Sequence, residues 1–312
     1  MSPRIYRSAR WKSGPDYDAD AYFLEEGDWF VFVVLKNAAL DWNTLIAELM
    51  RTFERGALRG IGGAIKTKEM SGPLSSAPGA NGALPEALWC HEEGLQFRLE
   101  TANVLNPGLF LDQEKNRERL ADLIAERAEV HSHPGAFRLL NLFSFTGAFS
   151  VVASSHGLET TSVDLSARYL EWEKRNQAQN SKMKKWDWGD YIPKMHLIRE
   201  DARGYLRRAA AKAERYSWVI LDPPTFSRSA EGVFQVNKDL APMVETAIAC
   251  LDKRGSVLVS TNDARWRAED FVDEMASIAG RHGMLSERGE LPEEFLGLDP
   301  PHPMKSLWLH KK

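Results

Sequence analysis

The sequence predicts an α/β protein: a mostly parallel, seven-stranded sheet with helices on both faces, preceded by a small α+β domain. Three observations carry this. First, from Ala136 onward short apolar runs alternate with amphipathic stretches. Strands at 137–143, 160–164, 195–198, 217–222 and 255–260 are separated by helices at about 147–156, 166–180, 202–214 and 236–252. Alternation with short connections implies right-handed crossovers and a parallel sheet. Second, residues 138–150 (RLLNLFSFTGAFS) read as a strand, a glycine turn and the start of a helix, the place where open sheets put a nucleotide-like ligand. Third, two later strands end on carboxylates, Asp164 and Asp222, so three strand ends face one crevice. A helix at 268–281 and two closing strands, near 284–289 and 306–310, complete the sheet.

The earlier part of the chain has a different pattern. Residues 1–20, basic and then acidic, are expected to be loosely ordered. Residues 21–36 form a predicted hairpin turned at Glu26-Gly27-Asp28, with a buried strand from Trp29 to Val34. An amphipathic helix follows over 41–53, with Ile46, Leu49 and Met50 on one face and Asp41 as its N-cap. Arg51, Arg55, Arg59, Lys66 and Lys68 make a loose basic series, either a solvated face or a phosphate-contacting patch. Residues 71–86 are rich in Gly, Pro, Ala and Ser without periodicity and read as a linker. The domain boundary is therefore expected near residue 87, with a domain of unassigned role over 1–87 and a second domain over 88–312. The second opens on a lead-in, 88–112, containing a hairpin turned at Glu93-Gly94. A charged helix from Asp112 to about Val130 and a core over 136–312 follow.

Composition narrows the function classes. The 312 residues are 43% hydrophobic and 27% charged, with a formal net charge of -4, values of an ordinary globular protein rather than a strongly basic nucleic-acid binder. The two cysteines, Cys90 and Cys250, have no metal-ligand spacing. That argues against a disulfide framework or a structural zinc and for a reducing, cytoplasmic compartment. The first residues lack the apolar segment of a signal peptide, and no run approaches about 20 apolar residues, the length of a membrane span.

The crevice residues select the ligand. A pyrophosphate needs a dense glycine pattern at a helix N-terminus, whereas the loop from Phe143 to Phe149 has one glycine and three phenylalanines. It suits an adenosine with a cationic, phosphate-free tail, as in S-adenosylmethionine, whose sulfonium tolerates aromatic neighbours. The candidates along the turn are Asn141, Phe143, Thr146, Gly147 and Ala148. Asp164, followed by Leu165 and Ser166, is placed to accept from ribose hydroxyls, although a helix cap shared with Ser166 also fits. Asp201-Ala202 is placed for the adenine amino group and equally for a helix cap. Asp222-Pro223-Pro224-Thr225-Phe226 is the most specific signal. Two prolines fix an extended turn that aims a carboxylate and carbonyls into the crevice, and an aromatic two residues on can stack a planar acceptor.

These motifs resemble those of class I methyltransferases, whose fold is Rossmann-like, and within them residues 88–312 resemble the bacterial large-subunit ribosomal RNA methyltransferases (guanine-N7 and cytosine-C5). The stretches that carry the resemblance are Glu93–Phe97 with Gly108–Gln113, Leu140–Ser150, Asp222–Ser227 and Lys305–Leu309. The resemblance implies Phe110 and Gln113 as further cofactor ligands, because the family's matching segment lies over the cofactor. It also implies Asp222, Pro223 and Phe226 as the acceptor-side catalytic group. Carbon-5 methylation of cytosine needs a covalent thiol, and the corresponding position here, Val259-Ser260-Thr261-Asn262-Asp263, has none. Nitrogen methylation is therefore expected, with alignment and desolvation as its main demands. Residues 1–87 depart from the family pattern, without its usual RNA-binding module. RNA-facing charge is sought in Arg203, Arg207, Arg208, Lys212 and Arg215, and in Lys182, Lys184 and Lys185 beside Trp186 and Trp188. A solvated helix face and an ordinary loop explain these clusters as well. The expected activity is S-adenosylmethionine-dependent N-methylation of ribosomal RNA without metal. The alternatives are a protein or small-molecule acceptor, or a non-catalytic binding module.

Overall fold

The computed structural model describes residues 9–13, 17–25, 28–36, 41–52, 58–66, 71–73, 86–103, 106–127, 133–296 and 301–312. The chain divides into two compact units, Met1–Gln113 with Pro292–His302, and Glu114–Leu291 with Pro303–Lys312.

The first unit is built on a five-stranded sheet of β1 (Ala9–Ser13), β2 (Tyr17–Glu25), β3 (Asp28–Leu35), β4 (Leu58–Lys66) and β5 (Ser71–Pro73), in that spatial order. Helix α1 (Trp42–Thr52) joins β3 to its parallel neighbour β4. Asp41 caps α1, accepting from the backbone N–H of Asn43 at 3.1 Å and Thr44 at 3.3 Å. Alternate residues of β2 and β3 (Ala19, Ala21, Val31, Val33) bury against Leu45 and Leu49 of α1, as period-2 strands and a 3.6-period helix require. The predicted hairpin is present, but its turn residues Glu26 and Gly27 lie outside the described residues.

The structure departs from two expectations. The start of the chain is not loosely ordered throughout, since β1 pairs with β2 (Ala9 opposite Ala21) and β2 begins at Tyr17. The predicted linker likewise opens with β5, hydrogen-bonded to β4. Edge strands this short carry little periodicity, and partners supply their order. The hairpin of β6 (Ala87–Glu92) and β7 (Leu95–Glu100) turns on Glu93 (φ 51°) and Gly94 (φ 79°), the left-handed pair a two-residue turn needs. It packs on β2, so the compact unit extends past residue 87 to Gln113.

The second unit begins at α2 (Glu114–Ala125), shorter at both ends than the predicted 112–130 helix; residues 128–132 lie outside the described residues. Its strands are β8 (Arg138–Leu142), β9 (Glu159–Asp164), β10 (Met195–Arg199), β11 (Tyr216–Leu221), β14 (Leu251–Thr261), β15 (Leu285–Arg288) and β16 (Lys305–His310). They form one sheet in the order β10-β9-β8-β11-β14-β16-β15, parallel except at β16. Helices α3 (Ala148–Ser155), α4 (Ala167–Gln179), α5 (Ala202–Ala211), α6 (Val236–Ala249) and α7 (Ala268–Arg281) supply the crossovers. Leu140, Leu142, Val163, Val219, Leu221, Val257 and Val259 bury on the face covered by α5, α6 and α7. The opposite face carries α3 and α4, with α2 packed on α3. Residues 226–235, to which the sequence assigns no element, form the hairpin β12 (Phe226–Ser229) and β13 (Gly232–Gln235).

Candidate functional site

Strand order and register build the site. β9 and β10 extend to one side of β8, and β11 and β14 to the other, so the connections diverge between β8 and β11. That divergence opens a crevice at the carboxyl ends of the strands. Leu142, Val163, Leu221 and Val259 stand in one row across four strands. The next residues, Phe143, Asp164, Asp222 and Ser260, form the rim.

The turn after β8 is held against its own preference. Phe143 (φ 60°) and Phe145 (φ 51°) are both left-handed, as is Gly147 (φ 75°). Such backbone persists at bulky residues only where the surroundings over-determine it. Phe143 packs at a tilt against the buried Phe234 of the hairpin at 5.4 Å, and Phe145 packs edge-on against Tyr169 at 4.5 Å. The Phe145 N–H donates to Asp164 Oδ2 at 3.0 Å, and Asn176 Nδ2 donates to the Thr146 carbonyl at 2.9 Å. Gly147 precedes α3 without a side-chain cap, so Ala148 opens that helix. Asn141 points away from the crevice into a buried network beneath the turn and donates to Ser150 Oγ at 2.9 Å.

Asp164 ends β9, half-buried. Besides Phe145 it accepts from the Ser166 N–H at 2.8 Å, and no described cation pairs with it. Ser166 is the cap of α4, accepting from Tyr169 N at 3.3 Å. This leaves the carboxylate with acceptor capacity at the rim. Burial pushes its pKa up, and the two backbone donors oppose that shift. Leu165 beside it is exposed. Asp201 does cap α5, accepting from Arg203 N at 2.8 Å, and the Arg203 guanidinium grips both its oxygens. The Ser229 hydroxyl donates to it as well. Burial pushes this carboxyl up, but the Arg203 and Ser229 hydrogen bonds outweigh burial and hold it at about 2. Ala202 is buried in the sheet core.

Asp222 follows β11 at the point of divergence. The Ser260 hydroxyl donates to its Oδ1 at 2.6 Å, which fixes the carboxylate's orientation. Pro223 is buried, whereas Pro224 is exposed and Phe226 is 50% exposed. The Arg228 guanidinium lies 5.6 Å from the Phe226 ring centroid. Phe110 and Gln113 belong to the first unit. Phe110 is 39% exposed, while Gln113 is buried in the short 3-10 turn Leu111–Gln113.

Sequence reasoning missed Glu173, Ser260 and the Arg203–Ser229 clamp. Glu173 is fully buried on α4. It stands three residues after Leu170 on that helix's buried stripe, and an acid at a core-stripe position was the available signal. In the first basic cluster Arg203 pairs with Asp201, Arg207 with Glu231 and Arg208 with Glu200. Among the described residues no helix is long and apolar enough to cross a membrane, and no cluster of His, Cys, Asp or Glu is arranged to hold a metal ion.

A rim with one unpaired-by-cation carboxylate, aromatic side chains and a turn lacking Lys or Arg fits a nucleoside better than a pyrophosphate. The comparisons agree. Residues 70–310 match the S-adenosylmethionine-dependent methyltransferase family. Over 208 residues the chain is 33% identical to the ribosomal RNA large subunit methyltransferase K/L of Methylococcus capsulatus, covering 65% of this chain and 25% of that protein. It is 29% identical over 207 residues to the ribosomal RNA large subunit methyltransferase K of Neisseria meningitidis serogroup B, covering 65% of this chain and 52% of that one. The chain thus spans between a quarter and about half of the length of these relatives. A protein solved in complex with SAH shares the fold over 98% of this chain and 76% of its own, with a TM-score of 0.75 and 22% identity.

Proposed function

The chain belongs to the S-adenosylmethionine-dependent methyltransferase family, and from that premise we propose that it methylates a base nitrogen of ribosomal RNA. The observation that carries the proposal is Asp222-Pro223-Pro224 at the divergence of the sheet, one strand away from the Phe143–Gly147 turn. The relatives' names point to ribosomal RNA as the acceptor.

The cofactor supplies an activated methyl group, so the protein's task is alignment and exclusion of water. Asp164, Leu165 and Ser166 would hold the adenosine's ribose side, and the backbone at Asp201 and Ala202 its base, since four donors already occupy the Asp201 carboxylate. Asn141, Phe143, Thr146, Gly147 and Ala148 shape the turn beneath the adenosine. On the acceptor side, Asp222 accepts a hydrogen bond from the base, Pro223 rigidifies the approach, and the exposed Phe226 stacks the base plane. With a ring nitrogen as target, the lone pair attacks directly and Asp222 orients. With an exocyclic amine it also draws the amine hydrogen toward itself.

The test is mass spectrometry of ribosomal RNA from a deletion strain complemented with wild type or with Asp222→Ala. We expect one modified base to vanish on deletion and to return only with wild type. Purified Asp222→Ala should keep its affinity for S-adenosylhomocysteine by calorimetry. An unchanged methylation profile would overturn the RNA acceptor and favour a protein or small molecule.

A further inference from the structure

We propose that Glu173 is a positioning residue for the cofactor turn: its buried side chain, tied to the Ser144 and Ser162 hydroxyls, holds the left-handed backbone of residues 143–147 in place. The inference rests on the reading that this turn carries the cofactor.

The geometry is a converging set of donors. The Ser144 hydroxyl donates to Glu173 Oε2 at 3.0 Å, and the Ser162 hydroxyl donates to Oε1. Ser162 lies 2.8 Å from Ser150 Oγ, which accepts from Asn141 Nδ2 at 2.9 Å. Either hydroxyl can be the donor between Ser150 and Ser162. The network links β8, α3 and β9 to a single carboxyl on α4. That carboxyl also forms the floor of the turn: a Cβ placed on Gly147 would lie 2.2 Å from Glu173 Cγ and Cδ. One turn of helix further on, Asn176 of the same helix holds the Thr146 carbonyl. Two side chains of α4 thus grip both sides of a turn that contains two left-handed phenylalanines. Backbone of this kind relaxes when its supports are removed.

Glu173 is also poised to respond to pH. Burial pushes its carboxyl up to about 7, against the pull of the Ser162, Ser144 and Ser150 hydroxyls. The groups facing it are Ser162 and Asp164 from β9, Ser150 from α3 and Ser144 from the turn; Asp164 is the charged one, and its field adds to the upward shift. An ionised acceptor makes shorter and stronger hydrogen bonds than a neutral one. Those bonds do not offset the lost solvation, since the carboxyl stays raised despite them; the turn is therefore held most firmly below neutrality, and cofactor affinity falls as Glu173 ionises.

The experiment is calorimetric titration of the full chain with S-adenosylhomocysteine from pH 6 to 8.5. Wild type is expected to lose about fivefold in affinity as pH rises across a break near pH 7, because the ionised carboxyl is disfavoured in the buried site. Glu173→Gln keeps size and an acceptor but cannot ionise, so its affinity is expected to stay flat at the acidic wild-type level. Ser144→Ala leaves the carboxyl and cuts its tie to the turn; it is expected to weaken binding and move the break upward, since a hydrogen bond that lowers the pKa is lost. Asp164→Ala separates the two readings. If it binds like wild type, the turn does not carry the cofactor and the reading of the site fails. If it loses affinity while folded Glu173→Gln and Ser144→Ala both keep the wild-type profile, the role of Glu173 fails alone.

Discussion

Gly147→Ala tests how the turn is built, with Gly283→Ala as its control. Both glycines have positive φ, 75° and 65°, and both belong to the second unit. A side chain in this region costs about 1–2 kcal/mol, offset by about 0.4–1 kcal/mol from a less flexible unfolded chain. At Gly283 no atom lies within 4 Å of the added Cβ, so the loss should be about 1 kcal/mol. At Gly147 the Cβ would meet Glu173 Cγ and Cδ at 2.2 Å, below any tolerated contact. Glu173 would have to move and leave the Ser144 and Ser162 hydroxyls unpaired in a buried site. That adds about 2–4 kcal/mol, for a total near 3–5 kcal/mol. Urea unfolding measures the difference as a shift in midpoint at constant slope. In the double variant with Glu173→Ala the obstructing atoms are gone, and a coupling of about 1–3 kcal/mol is expected. A Gly147→Ala loss within about 0.5 kcal/mol of Gly283→Ala would refute the account of the turn.

Two further outcomes follow from buried groups. Asp201 has a folded pKa of about 2, below its ordinary 3.8, so its contribution to stability is full above pH 4 and is lost as pH falls toward 2. Arg203→Leu leaves burial unopposed by the guanidinium, and acid unfolding should begin at a higher pH; an unchanged acid limb would show that the clamp is not formed. Cys90 and Cys250 are both fully buried, and burial pushes the Cys250 thiol up. A thiol reagent at pH 7.5 should modify neither until denaturant is added, and rapid labelling of the folded chain would contradict their burial.

Much of the second unit was legible because its information is local. Each predicted strand of the parallel sheet lies close to an observed one, since continuous apolar runs between amphipathic helices admit few other arrangements. The helix at 268–281 has the predicted bounds. The hairpin over 226–235 was not legible: its exposed, polar-rich strands have little apolar pattern, and it is held by the buried Phe234 against Phe143 and by Arg203 donating to the carbonyls of Gly232 and Val233. The short strands β1 and β5 escaped for the same reason. Asp201 illustrates an intermediate case, in which the cap was readable from spacing but the grip of Arg203 and Ser229 was not.

The sequence by itself determined the parallel sheet, the glycine turn after its first strand and the carboxylates at its strand ends, because period, turn chemistry and strand length are properties of neighbouring residues. The tertiary structure decided what surrounds those groups. Ser144, Ser150, Ser162 and Glu173 lie on a turn, a helix, a strand and another helix, and only sheet register brings them into one network beneath the turn. The same register sets Ser260 against Asp222, 38 residues away in the chain. Contacts between elements depend on crossovers and packing, which no local pattern encodes.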